Sequence, residues 1–183
     1  GTIVSRTYGD ENIKNYTHGM FQSVYDYPYL SSSANHIFDL TVGYSSTSAM
    51  NDAASIQNTK KINIYNQMAQ VLVGYNETGD IREFDRDGNF AAGGGGGDKL
   101  QECLFINFSR LLTKDEIKKG SFIFTALTGG TPAAPSDALT IQDHGAASTY
   151  LTNSPAGEYA VLYTSSAAVA GTGVGLLYYQ AGI

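Results

Sequence analysis

The chain has 183 residues, a mass of 19.5 kDa, 42% hydrophobic residues and a formal net charge of −6. That length allows one real core or two small ones, and no apolar run approaches the roughly 20 residues of a membrane-spanning helix. No basic patch offsets the acidic balance, which argues against nucleic-acid binding.

Residues 1–35 alternate short apolar pieces with Asn, Asp and Gly and carry the run Tyr25-Asp26-Tyr27-Pro28-Tyr29. Tyr joins a large apolar face to one polar tip and is enriched at interfaces. The segment is therefore expected as a Tyr-rich extended arm with Tyr25, Tyr27 and Tyr29 as candidate contacts; packing on its own domain is the alternative. His36 to Tyr44 alternates apolar and polar side chains and predicts a strand. From about residue 48 to 73 the period changes, with Met50, Ala53, Ile64, Met68, Val71 and Leu72 mostly at spacings of three, four or seven, and Gly74 follows as a cap. This is the principal helix. Its Asn51, Asn58 and Asn63 lower intrinsic propensity, so it needs a partner surface. Within residues 88–98, five consecutive glycines (Gly93 to Gly97) predict a flexible loop, because ordering them costs entropy without side-chain burial. The loop lacks the Lys-Ser/Thr ending of a phosphate cradle.

Leu100 to Leu112 predicts a strand centred on Leu104-Phe105-Ile106-Asn107-Phe108. Thr113 and Glu116 have capping-box spacing, which predicts a short helix over about 114–119 stopping at Gly120. Four more strands are expected at 121–127, 138–142, 158–163 and 174–180, separated by turns such as Gly129-Gly130-Thr131-Pro132 and Ser154-Pro155-Ala156-Gly157. The expected fold class is α+β, mainly antiparallel β and sandwich-like. Residues 36–112 form a strand-helix-strand region, and 113–183 a charge-poor β region packed with it as one domain.

No residue pattern points to catalysis, and no cofactor is implied. Asp85-Arg86-Asp87-Gly88-Asn89 has part of a calcium loop's spacing, but the twelfth position falls on Gly94 rather than Glu. A solvated acidic turn balanced by Arg82 and Arg86 is the favoured expectation, with a loose calcium site as the alternative. His18, His36 and His144 lack a second ligand at metal spacing. Asp143-His144 has no nucleophile elbow to supply a serine. The single Cys103 lies among apolar neighbours and is expected to be a small buried hydrophobe. Asn15, Asn76 and Asn107 match the glycosylation triplet by chance in an Asn-rich chain.

All 11 basic residues precede Ser121; of the 17 acidic ones only Asp137, Asp143 and Glu158 follow it. A small free domain normally carries roughly a quarter to a third of its surface as charge, so this half suits burial against other subunits. The terminal apolar strand must be central in a sheet or covered by a neighbour, which makes Leu176, Leu177, Tyr178 and Tyr179 candidate interface residues. The runs Lys60-Lys61-Ile62-Asn63-Ile64-Tyr65-Asn66-Gln67-Met68-Ala69-Gln70-Val71-Leu72-Val73-Gly74 and Asn153-Ser154-Pro155-Ala156-Gly157-Glu158-Tyr159 resemble virion structural proteins of tailed bacteriophages of the marine T4-like myovirus type. That resemblance implies a non-enzymatic, multi-copy building block of tail, baseplate, neck or capsid, located in the virion. Its partners would be its own copies and other virion proteins, without nucleic acid or membrane. A carbohydrate-binding or host-recognition module, stacking Tyr on a glycan, is the alternative.

Overall fold

Alternating residues build the first half of the fold. The computed structural model describes residues 10–52, 55–90, 98–131, 134–164, 167–169 and 171–183; the glycine run Gly93 to Gly97 lies outside them. After a 3₁₀ turn at Asp10–Asn12, strands β1 (Ile13–Asn15), β2 (Gln22–Tyr25), β3 (His36–Tyr44) and β4 (Glu102–Phe108) form an antiparallel sheet in the order β1-β2-β3-β4. The Tyr-rich segment thus supplies two strands, β1 and β2, over its described residues. A polar chain fixes their register: Tyr16 Oη lies 3.2 Å from Ser23 Oγ, which donates to Asp39 Oδ1 at 2.5 Å, and His36 Nε2 lies 2.9 Å from the same oxygen.

Helix α1 (Ile56–Leu72) packs on β3 and begins eight residues after its expected start at 48. The missing turns are replaced by side-chain bonds that compete with helix. Asn51 Nδ2 donates to the Ser46 carbonyl at 2.6 Å and Asn58 Nδ2 to Asn51 Oδ1 at 2.7 Å. Gly43 on β3 lets the helix approach, since a Cβ there would stand 2.8 Å from Tyr65 N. Below the helix lies an aromatic core of Tyr65, Phe84, Phe105, Tyr159 and Tyr178. Tyr65 meets Phe84 edge-on at 5.4 Å, and Tyr159 stacks on Tyr178 at 5.1 Å, geometries that add to burial energy.

The second half opens with a correction. Residues 114–119 are not helical; a four-residue helix α2 (Arg110–Thr113) precedes them instead. Lys114 takes φ 51°, which halts the helix, and Ile117 N donates to the Tyr179 carbonyl, a tertiary bond stronger in effect than the local capping signal. The Thr113 hydroxyl is buried with no partner among the described residues rather than capping. Strands β5 (Ile123–Thr131) and β6 (Ala134–Gln142) form a two-stranded hairpin, a short helix α3 (Ala146–Thr149) follows, and β7 (Leu151–Ser154), β8 (Gly157–Leu162) and β9 (Gly175–Tyr178) form a third sheet in that order. The chain is α+β and mainly antiparallel β. The C-terminal turn links the sheets, with Tyr178 N donating to the Ile183 carbonyl and Phe108 N to that of Gly182, both at 2.8 Å.

Candidate functional site

The β5–β6 hairpin has no buried residue along either strand. Each strand has nine residues, which at about 3.3 Å per residue gives an arm roughly 30 Å long. Register pairs Ile123 with Gln142, Thr125 with Thr140 and Leu127 with Ala138 on one face, and Phe124 with Ile141 and Ala126 with Leu139 on the other. Ile123, Leu127 and Leu139 remain 66%, 48% and 39% exposed. Natural sheet edges are blunted by Lys, Pro or bulges, yet here only Pro135 and Asp137, near the tip, serve that purpose. A two-stranded hairpin alone is marginally stable in water.

The base of the arm is anchored. Gln142 and Tyr163 exchange two backbone hydrogen bonds of 2.9 Å, tying β6 to the end of β8. Next along the chain, the buried Asp143 carboxylate accepts from Gly120 N (2.7 Å), Phe122 N (2.9 Å) and Tyr179 Oη (2.8 Å). Burial, then the bond to Asp143, raises the Tyr179 phenol well above its ordinary pKa. Asp143 is thus a structural clamp. His144 beside it is exposed, and no serine enters the cluster.

The expected contact residues divide. Tyr27 and Tyr29 are exposed on the turn between β2 and β3, where Asn35 N and Nδ2 donate to the two carboxylate oxygens of Asp26; Tyr25 is half-buried against His36. Leu177, Tyr178 and Tyr179 are buried within the chain and pack its own core, because β9 lies against β8 and beneath the aromatic cluster. These three are core residues, which corrects the expectation of an interface. Leu176 is half-buried at the edge of a cavity between β4 and β9.

The acidic turn also differs from expectation. Asp85 is buried rather than solvated, and its counter-ion is Lys99, with Nζ 2.6 Å from Oδ2, rather than Arg82 or Arg86. Burial pushes the Asp85 carboxyl up, but hydrogen bonds from Asp87 and Lys99 outweigh it and hold it below the usual value. Among the described residues no three His, Cys, Asp or Glu side chains converge on a metal position. Gly88 completes the turn at φ 77°, its carbonyl accepting from Asn153 Nδ2 and Tyr159 Oη at 3.1 Å each. Cys103 is partly buried, and desolvation pushes its thiol up to about 12.

Ile123, Leu127 and Leu139 escaped the sequence reading as surface residues. Their signal was present in the Thr, Ala and Gly that flank them on both strands, which leave little bulk to build a core. No family model, curated protein or solved structure matches this chain.

Proposed function

We propose that this chain is a non-enzymatic structural subunit that assembles in multiple copies, using the β5–β6 hairpin as its docking arm. The carrying observation is an approximately 30 Å hairpin that exposes Ile123, Leu127 and Leu139 and carries a single charge, Asp137. Surface of this kind gains from burial at about 25 cal/mol per Å², and a chain of net charge −6 associates with itself most readily where like charges are absent. The setting we propose is the virion of a tailed bacteriophage, in tail, baseplate, neck or capsid. This rests on the resemblance carried by residues 60–74 and 153–159. The two runs pack together, with Ser154 Oγ donating to the Leu72 carbonyl at 2.5 Å, so they belong to the framework that carries the arm.

Sedimentation velocity over a concentration series tests assembly, with Leu127→Lys/Leu139→Lys as the perturbed form. Concentration-dependent association of the wild-type chain, lost in the double variant while circular dichroism is unchanged, is the expected result. A wild-type chain that stays monomeric alone and with its virion neighbours overturns the proposal. The exposed Tyr27 and Tyr29 favour a second reading, a glycan-binding module. Retention of the monomer on a glycan array, abolished by Tyr27→Ala, would replace the assembly reading.

A further inference from the structure

Hydrogen bonds at the two ends of β4 fix which way its main chain points. Ser45 N donates to the Gln101 carbonyl at 2.7 Å and Ser109 N to the Ile37 carbonyl at 2.9 Å, so the odd-numbered residues between them bond β3. In an antiparallel ladder the alternate residues turn their N–H and C=O the other way. These are Glu102, Leu104, Ile106 and Phe108, on a strand that is the last of its sheet. Phe108 N is taken by the Gly182 carbonyl, but Glu102, Leu104 and Ile106 have no main-chain partner on that side among the described residues. Beside them lies an apolar cavity of about 200 Å³, bordered by the consecutive residues Glu102 to Ile106 of β4 and Val174 to Tyr178 at β9, itself the last strand of its sheet. The cavity therefore follows two free strand edges, and Leu104, 55% exposed, opens it to solvent. An apolar cavity of about 150 Å³ accommodates benzene, so this one takes a branched aliphatic side chain.

One added strand completes such an edge, its main chain giving affinity and its side chains the choice of partner. The chain holds a suitable strand. Residues 2–8, Thr-Ile-Val-Ser-Arg-Thr-Tyr, lie outside the described residues and are mostly β-branched or aromatic, the types favoured in strands. One carboxylate oxygen of Glu102 takes the Ser48 hydroxyl, and no cation pairs with Glu102 among the described residues. An antiparallel register with Val4 opposite Leu104 sets Arg6 opposite Glu102 and Thr2 opposite Ile106, so all three free positions are used and one cross-strand pair is of opposite charge.

The chain's own segment cannot reach this register. Ile13 pairs with Val24, Val24 with Phe38 and Phe38 with Phe108, so β1 starts level with the far end of β4, three strands away. Arg6 opposite Glu102 would stand about 27 Å from Ile13, four strand spacings across and six residues along. The chain from Arg6 to Ile13 spans at most about 20 Å, because its last three residues form a 3₁₀ turn.

We propose that residues 2–8 of a second copy add to the free edge of β4 as an antiparallel strand in this register, with Ile3, on the face of Cys103 and Phe105, entering the cavity. The inference rests on the assembly reading and adds to it a second contact. Donor segment and acceptor edge are different surfaces, so the copies join head to tail.

The test mixes intact chains carrying Val4→Cys with chains carrying Leu104→Cys, both in a Cys103→Ala background, under mild oxidation. Directly opposite, hydrogen-bonded residues hold their Cα atoms about 5.5 Å apart, within disulfide reach. A mixed disulfide, mapped by mass spectrometry, is the expected product. Glu102→Lys in the acceptor should lower its yield about two- to fivefold, and Arg6→Glu in the donor should restore it. Ile3→Cys, whose side chain leaves on the other face, should link poorly to Leu104→Cys. Association in sedimentation velocity without the mixed disulfide, equal linkage from Ile3→Cys, or a yield that the charge exchange does not restore overturns the added strand and leaves the hairpin contact standing. A chain that neither associates nor cross-links overturns both.

Discussion

Replacing Asp143 by Ala should be among the most damaging single changes in the chain. Its carboxylate is 2% exposed and accepts three hydrogen bonds, from Gly120 N, Phe122 N and Tyr179 Oη, at 2.7, 2.9 and 2.8 Å. Hydrogen bonds to charged groups are worth about 1.5–3 kcal/mol each, and orphaned buried donors cost about 1–3 kcal/mol. Such losses are not additive when water enters the gap, so the expected loss for Asp143→Ala is about 3–5 kcal/mol. That is a large share of the 5–15 kcal/mol typical of a domain. Asp143→Asn keeps one oxygen acceptor and should lose about half as much, while Tyr179→Phe removes a single donor and should lose about 1–2 kcal/mol. Urea unfolding followed by far-ultraviolet circular dichroism gives all three values, provided the slope with denaturant is unchanged. A loss below about 1 kcal/mol for Asp143→Ala would show that the clamp at the arm's base contributes nothing.

Three further perturbations probe other parts of the fold. Lys99→Met leaves the buried Asp85 carboxylate without its cation and should cost about 3 kcal/mol at neutral pH. Because Asp85 titrates below its ordinary value, its contribution is complete above that value and disappears as pH falls through the lowered one; the variant should show a flatter acid limb in thermal unfolding. Gly88→Ala should cost about 2–3 kcal/mol, combining a left-handed backbone at φ 77° with a Cβ 2.4 Å from Leu151 Cδ1, and differential scanning calorimetry would detect it. Burial raises Tyr65, Tyr159, Tyr178 and Tyr179 above the ordinary Tyr value. Above about pH 10 the unfolded chain therefore loses protons that the native one keeps, and stability falls by up to about 1.4 kcal/mol per pH unit for each of the four. Phenolate absorbance should accordingly rise in two stages, the second coinciding with loss of circular dichroism.

Much of the fold was legible where side-chain period and burial agree. His36 to Tyr44 alternates and forms β3 with those same limits, and the C-terminal end of α1 falls one residue before the expected 73. Errors arose where tertiary bonds override local signals. Thr113 and Glu116 have capping spacing, yet the chain there must reach Tyr179, and the helix is displaced to Arg110–Thr113. The low charge after Ser121 was visible in the sequence, but which strands it leaves uncovered was not. The strongly apolar 174–180 segment is apolar because it enters the core, whereas the milder Thr/Ala pattern of β5 and β6 covers an exposed arm. Tyr178 shows the same limit, since the lack of a hydrogen-bond partner for its hydroxyl among the described residues belongs to the fold and has no mark in the sequence.

Amide hydrogen exchange across Ile123–Gln142, compared between dilute and concentrated protein or between free and particle-bound chain, tests the assembly claim most directly. The hairpin's outer edges should exchange rapidly in the dilute chain and become protected on association, with Ile123, Leu127 and Leu139 at the centre of the change. Unchanged exchange along the hairpin while the chain associates, or protection confined to another surface, would contradict it.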